Sequence, residues 1–297
     1  SLTMSNTGKS LCDPIAKAIK KVFIFPYFKA DGTINSIDIT GATPLNDAFF
    51  LALINNTTPS NRLYPLPRAS SVTSPRAESI FETYGDDTKD FIREGVRSVV
   101  MTLSKQSAIY LGKIKDWKCQ DIGVILVDAE GNMILSSTAA GLGYGIRIDK
   151  GSLDATLVFA EDNVSQKIEV KFNFHPDERD ENLRVVLASN MPGANLLLRN
   201  GLIDVNAVYT TITATAFTAT MTSDFGDPTH PAKIEGLVKA DFVLKKGSAV
   251  IVITTVTETA PGVYAFVYPT QTTGTLTLTA TKAGFDFSRI NTAIAVS

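Results

Sequence analysis

Hydrophobic and polar positions alternate along much of this chain with a period of two. The clearest case is Lys167 to Phe174, where Ile168, Val170, Phe172 and Phe174 interleave with Glu169, Lys171 and Asn173. That pattern predicts a strand with one wet and one buried face. Ile122 to Val127 and Met133 to Ser137 flank Asp128-Ala129-Glu130-Gly131-Asn132, a strand-turn-strand pattern with a glycine available for positive φ. Further strands are predicted at Val22 to Phe28, Thr156 to Ala160 and Val185 to Ala188. Glu78 to Tyr84 and Phe91 to Leu103 enclose the turn Gly85-Asp86-Asp87 and read as one long β-hairpin.

Helical periodicity is confined to short stretches. Asp13 to Lys21 is predicted to be a helix, with Asp13 as N-cap, Pro14 at the first position, and Ile15, Ala18 and Ile19 on one face. A second helix is predicted at Pro44 to Ile54, capped by Thr43, with Leu45, Phe49, Ala52 and Leu53 as its apolar face. A third falls within Ser104 to Asp116, where Ala108, Leu111 and Ile114 share a face, Gly112 costs about 1 kcal/mol relative to Ala and Trp117 closes the segment against Ile114. Between Asn55 and Arg76, four prolines among Ser, Thr and Asn favour an extended arm or loop.

Composition changes after residue 203, where Thr and Ala dominate and charge thins. This places a boundary there, giving domains 1–203 and 204–297. The second has the size and strand spacing of one immunoglobulin-like β-sandwich, with strands expected at 208–219, 232–238, 242–244, 249–258, 262–267, 274–280 and 293–296. It holds no cysteine, so an antibody-type disulfide is excluded.

The length and the 44% hydrophobic content suit a folded chain, and a net charge of -2 supplies no field that would draw it to nucleic acid or an anionic membrane. Cys12 and Cys119 are too few for a disulfide framework, and the polar Ser1 to Ser10 lacks the apolar core of a secretory signal. Catalytic and cofactor patterns are incomplete. The GKS at Gly8 to Ser10 has Thr3 where a phosphate loop needs glycine, and Gly141-Leu-Gly143-Tyr-Gly145 falls short of a dinucleotide fingerprint and reads as a bend or tight backbone contact. His175 and His230 each sit beside proline with no second ligand at metal spacing, although His175 has Asp177 and Glu178 near it. No enzyme, cofactor or metal site is expected.

The run Glu78 to Gln106 (ESIFETYGDDTKDFIREGVRSVVMTLSKQ), followed by Leu111 to Ile134 (LGKIKDWKCQDIGVILVDAEGNMI), resembles the tail-tube and related structural proteins of tailed phages. The resemblance spans roughly residues 11–190, with the Pro-rich arm and the second helix as departures. It implies a mainly β fold, an N-terminal β-sandwich or barrel with short flanking helices and a long hairpin, carrying an exterior immunoglobulin-like domain. It also implies a virion tail location, self-association into rings, hexameric in that family, and stacking into a tube that carries DNA as cargo beside other tail proteins. Tyr84, Gly85, Asp86, Asp87, Phe91, Ile92, Arg93 and Arg97 are the expected subunit-contact or lumen residues. The alternatives are another capsid- or tail-associated structural protein, a bacterial surface adhesin, and a glycan hydrolase using two carboxylates.

Overall fold

Val22, Phe23, Ile24 and Phe25 are β-branched or aromatic, types that fit a pleated, buried surface, and they form the middle of the first strand, β1 (Ile19–Pro26). The computed structural model to which this strand belongs describes residues 13–139 and 141–296. Cys12 and the GKS segment lie outside them. The chain is mainly β and divides into two compact units, residues 1–200 and 201–297.

In the first unit β1 is followed by β2 (Ser36–Asp38), α1 (Asp47–Ile54), β3 (Tyr64–Pro65), β4 (Ser71–Thr73), β5 (Ile80–Thr83), β6 (Lys89–Arg93) and β7 (Ser98–Ser104). Then come α2 (Ala108–Lys115), β8 (Ile122–Asp128), β9 (Met133–Ala139), β10 (Leu142–Tyr144), β11 (Ile146–Arg147), β12 (Asp154–Val158), β13 (Lys167–Asn173) and β14 (Leu183–Val186). One curled sheet has the order β2-β10-β9-β8-β1-β3, with β11 added to β8 and β14 to β9. A second has the order β12-β13-β7-β4. Val22, Ile24 and Val124 of the first sheet share a core with Val99, Met101, Leu103, Ile168, Val170 and Phe172 of the second. Each such side chain contributes roughly 1.5–3 kcal/mol on leaving water. In β1 the alternate residues Lys21, Phe23 and Phe25 are just as buried, so both faces of that strand are covered.

The predicted helix at 13–21 does not form: residues 13–18 carry no regular structure and Ile19 to Lys21 belong to β1. Its intended apolar face had nothing to pack on, Ile15 being 66% exposed, and so short a helix needs tertiary burial. The backbone is recruited elsewhere, Lys17 N–H donating to Asp128 Oδ2 at 2.9 Å and Ala129 N–H to the Ala18 carbonyl. Helix α1 starts later than predicted, at Asp47, because Asn46 and not Thr43 is the cap, its side chain accepting from Phe49 N–H at 3.0 Å. Phe50 and Ile54 are its buried residues, while Ala52 is exposed. The predicted arm at 55–76 is not free. Leu63, Leu66 and Ala69 are buried in it, and Leu66 N–H donates to the Val22 carbonyl. Pro65 is tolerated because β3 is an edge strand.

The glycines at 141–145 make a tight backbone contact. A Cβ on Gly145 would lie 3.1 Å from the Gly123 backbone, and one on Gly143 would lie 2.5 Å from the Leu135 side chain. These close approaches let β10 and β11 run beside β9 and β8.

The second unit contains β15 (Ile203–Thr210), β16 (Ala216–Asp227), β17 (His230–Lys233), β18 (Phe242–Lys246) and β19 (Ala249–Ile251). It continues through β20 (Thr255–Ala260), β21 (Val263–Val267), β22 (Gly274–Ala280), β23 (Phe285–Asp286) and β24 (Ile294–Val296). One sheet has the order β20-β21-β16-β15-β23 and the other β19-β18-β22-β24. Lettered along the chain, β20-β21-β16-β15 and β19-β18-β22-β24 read D-E-B-A against C′-C-F-G, the immunoglobulin constant-type order with β17, β19 and β23 added. Phe217 stacks on Phe266 at 4.6 Å, and Phe242 meets Phe266 edge-to-face at 4.9 Å, at the centre of its core. Two predicted strands are each two: 208–219 breaks at a turn where Thr213 N–H donates to the Ala216 carbonyl, and 249–258 splits between the two sheets. The predicted strand at 232–238 ends at Lys233, after which Ile234 and Leu237 turn into the core.

Candidate functional site

Strands β5 and β6 pair with each other and with no other strand among the described residues. All four residues of β5 and all five of β6 are exposed. The register places Phe81 opposite Phe91, with rings 5.7 Å apart and edge-to-face, and Thr83 opposite Lys89 on the same face. The other face carries Glu82 opposite Asp90. The register shifts between Ile80 and Phe81, so Ile80 pairs with Arg93 and Ile92 is the extra residue of a bulge. The hairpin predicted at 78–103 is therefore two objects: a short ribbon, and a separate strand β7 that leaves it to join β13 and β4.

The turn follows from its residues. Asp87 N–H donates to the Tyr84 carbonyl and Tyr84 N–H to the Thr88 carbonyl, and Asp87 has φ of 64°. This is the three-residue hairpin loop that ends in a left-handed position, here filled by an aspartate, one of the few side chains that tolerate it. Asp86 Oδ1 accepts from both the Thr88 N–H, at 3.1 Å, and its hydroxyl, at 2.6 Å. These bonds, the hydroxyl's first, hold the Asp86 carboxyl below its ordinary range. The same Asp-x-Thr device closes turns at Asp31–Thr33, Asp38–Thr40 and Asp227–Thr229. In the sequence it is visible as a recurring Asp-x-Thr spacing, which Asp154-Ala155-Thr156 also carries within β12.

On the acidic face the Tyr84 hydroxyl lies 3.1 Å from Asp90 Oδ2 and 3.4 Å from Glu82 Oε2. One proton serves two carboxylates, and the bond to Asp90 first, then partial desolvation and Glu82, raise the tyrosine's pKa. Like charges directly opposite each other cost the ribbon a few tenths of a kcal/mol to about 1 kcal/mol.

The ribbon is fixed at its root. Arg76 pairs with Glu94 and, at 2.5 Å, with Asp180, whose other oxygen pairs with Arg97. The Arg97 guanidinium lies 5.0 Å over the Phe174 ring and donates to the Glu178 carbonyl at 3.0 Å. Gly95 is buried there, and a Cβ on it would lie 1.7 Å from the Ala77 carbonyl oxygen. Ala77 N–H donates to the Val96 carbonyl at 2.9 Å, closing the crossing.

The structure thus brings together Tyr84, Gly85, Asp86 and Asp87 in the turn and Phe91, Ile92 and Arg93 on β6. Arg97 stands apart at the root, its side chain 12% exposed and occupied by Asp180. Sequence reasoning missed Ile80 and Phe81, which share the exposed ribbon, and the anchoring set Arg76, Glu94, Gly95 and Asp180. Phe81 was findable by pairing outward from the turn. Asp180 was not, since it arrives from a distant loop.

Elsewhere, His175 Nδ1 is 3.4 Å from Asp177 Oδ2, but Glu178 turns away, accepting from Arg147 N–H and the Ser136 hydroxyl. No group of three or more His, Cys, Asp or Glu able to hold a metal occurs among the described residues, and no helix among them is long and apolar enough to cross a membrane. Trp117 packs edge-on against Tyr64 at 4.5 Å, and Cys119 is an exposed thiol. No known protein family model matches the chain, and no curated protein matches it.

Proposed function

We propose that this chain is a non-enzymatic structural subunit of a phage virion that self-associates into the stacked rings of a tail tube, with the second unit as exterior decoration. The observation that carries the reading is the β5–β6 ribbon. An isolated two-stranded ribbon is marginal in water, yet this one exposes Phe81, Phe91 and Ile92 at 48%, 58% and 56% and leaves both outer edges without strand partners among the described residues. Apolar side chains and unpaired edges are a liability for a monomer and a means of cohesion for an assembling subunit. The sequence likeness of Glu78 to Ile134 to tail-tube proteins supplies the kind of assembly.

The test is direct. Purified protein at increasing concentration is imaged by negative stain and sized by light scattering, beside a variant in which residues 80–93 are replaced by a short Gly-Ser turn. Rings or filaments that the variant fails to form are the expected result. A parent chain that stays monomeric at every concentration would end the proposal.

A further inference from the structure

We propose that the β5–β6 ribbon docks on the tip of the β12–β13 hairpin of a second copy of this chain, making a head-to-tail contact; this rests on the self-assembly reading above. The argument begins with register. Across the second sheet, Val158 pairs with Lys167 and Lys167 with Ser104, so the tip following Val158 lies at the Ser104 end of β7. At the opposite end Asn173 pairs with Ser98, Phe174 N–H donates to the Arg97 carbonyl, and the ribbon root departs. Ribbon and tip therefore sit at the two ends of one strand, roughly 20 Å apart at about 3.4 Å per residue.

The aromatic face of the ribbon, which is the face opposite Glu82 and Asp90, is complementary to the tip. At the tip, Glu161 and Val164 exchange both backbone hydrogen bonds, at 2.9 and 3.1 Å, and form a tight turn. The tip carries Phe159, 74% exposed and the most exposed aromatic of the described residues, and Val164, 47% exposed, with Glu161 and Asp162 between them in the chain. The aromatic face of the ribbon presents Phe81, Phe91 and Lys89. Neither Lys89 nor Glu161 nor Asp162 has an ion-pair partner among the described residues. An aromatic pair beside a cation thus meets an apolar pair beside two carboxylates. Two different patches at opposite ends give a heterologous contact, which closes into a ring or runs on as a filament.

Full-length Phe91→Asp and Phe159→Asp variants, each checked for native circular dichroism, are sized by light scattering over a concentration series beside the parent. Each alone is expected to lose about thirtyfold or more in apparent association affinity, as for the loss of an aromatic interface anchor. An equimolar mixture is expected to form a heterodimer and nothing larger, because one intact ribbon then meets one intact tip. Lys89→Glu is expected to weaken assembly, and adding Glu161→Lys and Asp162→Lys to restore it. If the parent and Phe159→Asp assemble alike while Phe91→Asp does not, or if the mixture stays monomeric, the tip is not the receiving surface although self-assembly stands. A parent that never assembles overturns both.

Discussion

Lys21 is 1% exposed within β1, its Nζ donating to the carbonyls of Leu197, at 3.1 Å, and of Arg199. Burial, and then repulsion from Arg199 and Arg68, lower its pKa from 10.5 to about 8. Above about pH 8 the native state gives up this proton while the unfolded chain keeps it until about 10.5. The unfolded state then binds more protons, so stability rises with pH across that window, by on the order of 3 kcal/mol in the limit. Above pH 10 the effect reverses, because burial raises the Tyr110 pKa and unfolding frees that phenol to ionise. The urea midpoint of the first unit is therefore expected to climb between pH 8 and 10 and then fall, and Lys21→Met is expected to abolish the climb. Asp128 contributes to the acid limb. Burial alone would raise its pKa, but donation from the backbone N–H of Lys17, the Asn132 side chain and the backbone N–H groups of Asn132 and Glu130 holds it lower. Its contribution is present above the ordinary carboxylate pKa and is lost as pH falls through the depressed one.

At the scale of elements, the ribbon depends on its root, where Gly95 leaves no room for a methyl group beside the Ala77 carbonyl. Gly95→Ala is expected to splay the crossing at a cost of about 1–3 kcal/mol while leaving the two-sheet core intact. Trypsin should then cut after Lys89 and Arg93 roughly tenfold faster or more, the measure of about 1.4 kcal/mol of easier local opening, with the thermal transition of the first unit little moved. An unchanged cleavage rate would show that the root does not hold the ribbon. The turn itself was legible in the sequence, since Gly85-Asp86-Asp87-Thr88 carries its own hydrogen-bond chemistry. Strand β13 was legible for the same local reason, its alternation recording one buried face, and β8 and β9 as apolar runs flanking a turn. The ends of β7 were not, because Phe91 to Leu103 keeps strand character throughout and only pairing with Lys167–Asn173 decides where the ribbon stops. The misread helix at 13–21 shows the same limit: Pro14 and Ile15 suit a helix start, but Asp128 and β8 supply better backbone partners. Asn55 to Arg76 looked free because proline count hides buried positions such as Leu63, Leu66 and Ala69.

At the scale of the whole molecule, the two hydrophobic cores are each closed within one unit: Val22 to Phe174 in the first, Val205 to Val296 in the second. No buried residue of either cluster is borrowed from the other unit, so each meets the basic condition for folding alone. The second unit also keeps its polar groups satisfied internally, the Tyr264 hydroxyl accepting from Leu237 N–H and donating to the Ile234 carbonyl, and Tyr268 donating to the Thr213 carbonyl. Residues 201–297 expressed alone are thus expected to give a cooperative thermal transition and a β-type circular dichroism spectrum. The complementary fragment carries both the ribbon and the tip at Phe159, so a chain ending at Asn200 should assemble at the same concentration as the full protein, within about threefold. Loss of assembly on that truncation, with the fragment still folded, would mean that the immunoglobulin-like unit supplies cohesion and is more than decoration. Retention of assembly would confine the cohesive chemistry to the first unit, where the ribbon and tip variants then test which surfaces supply it.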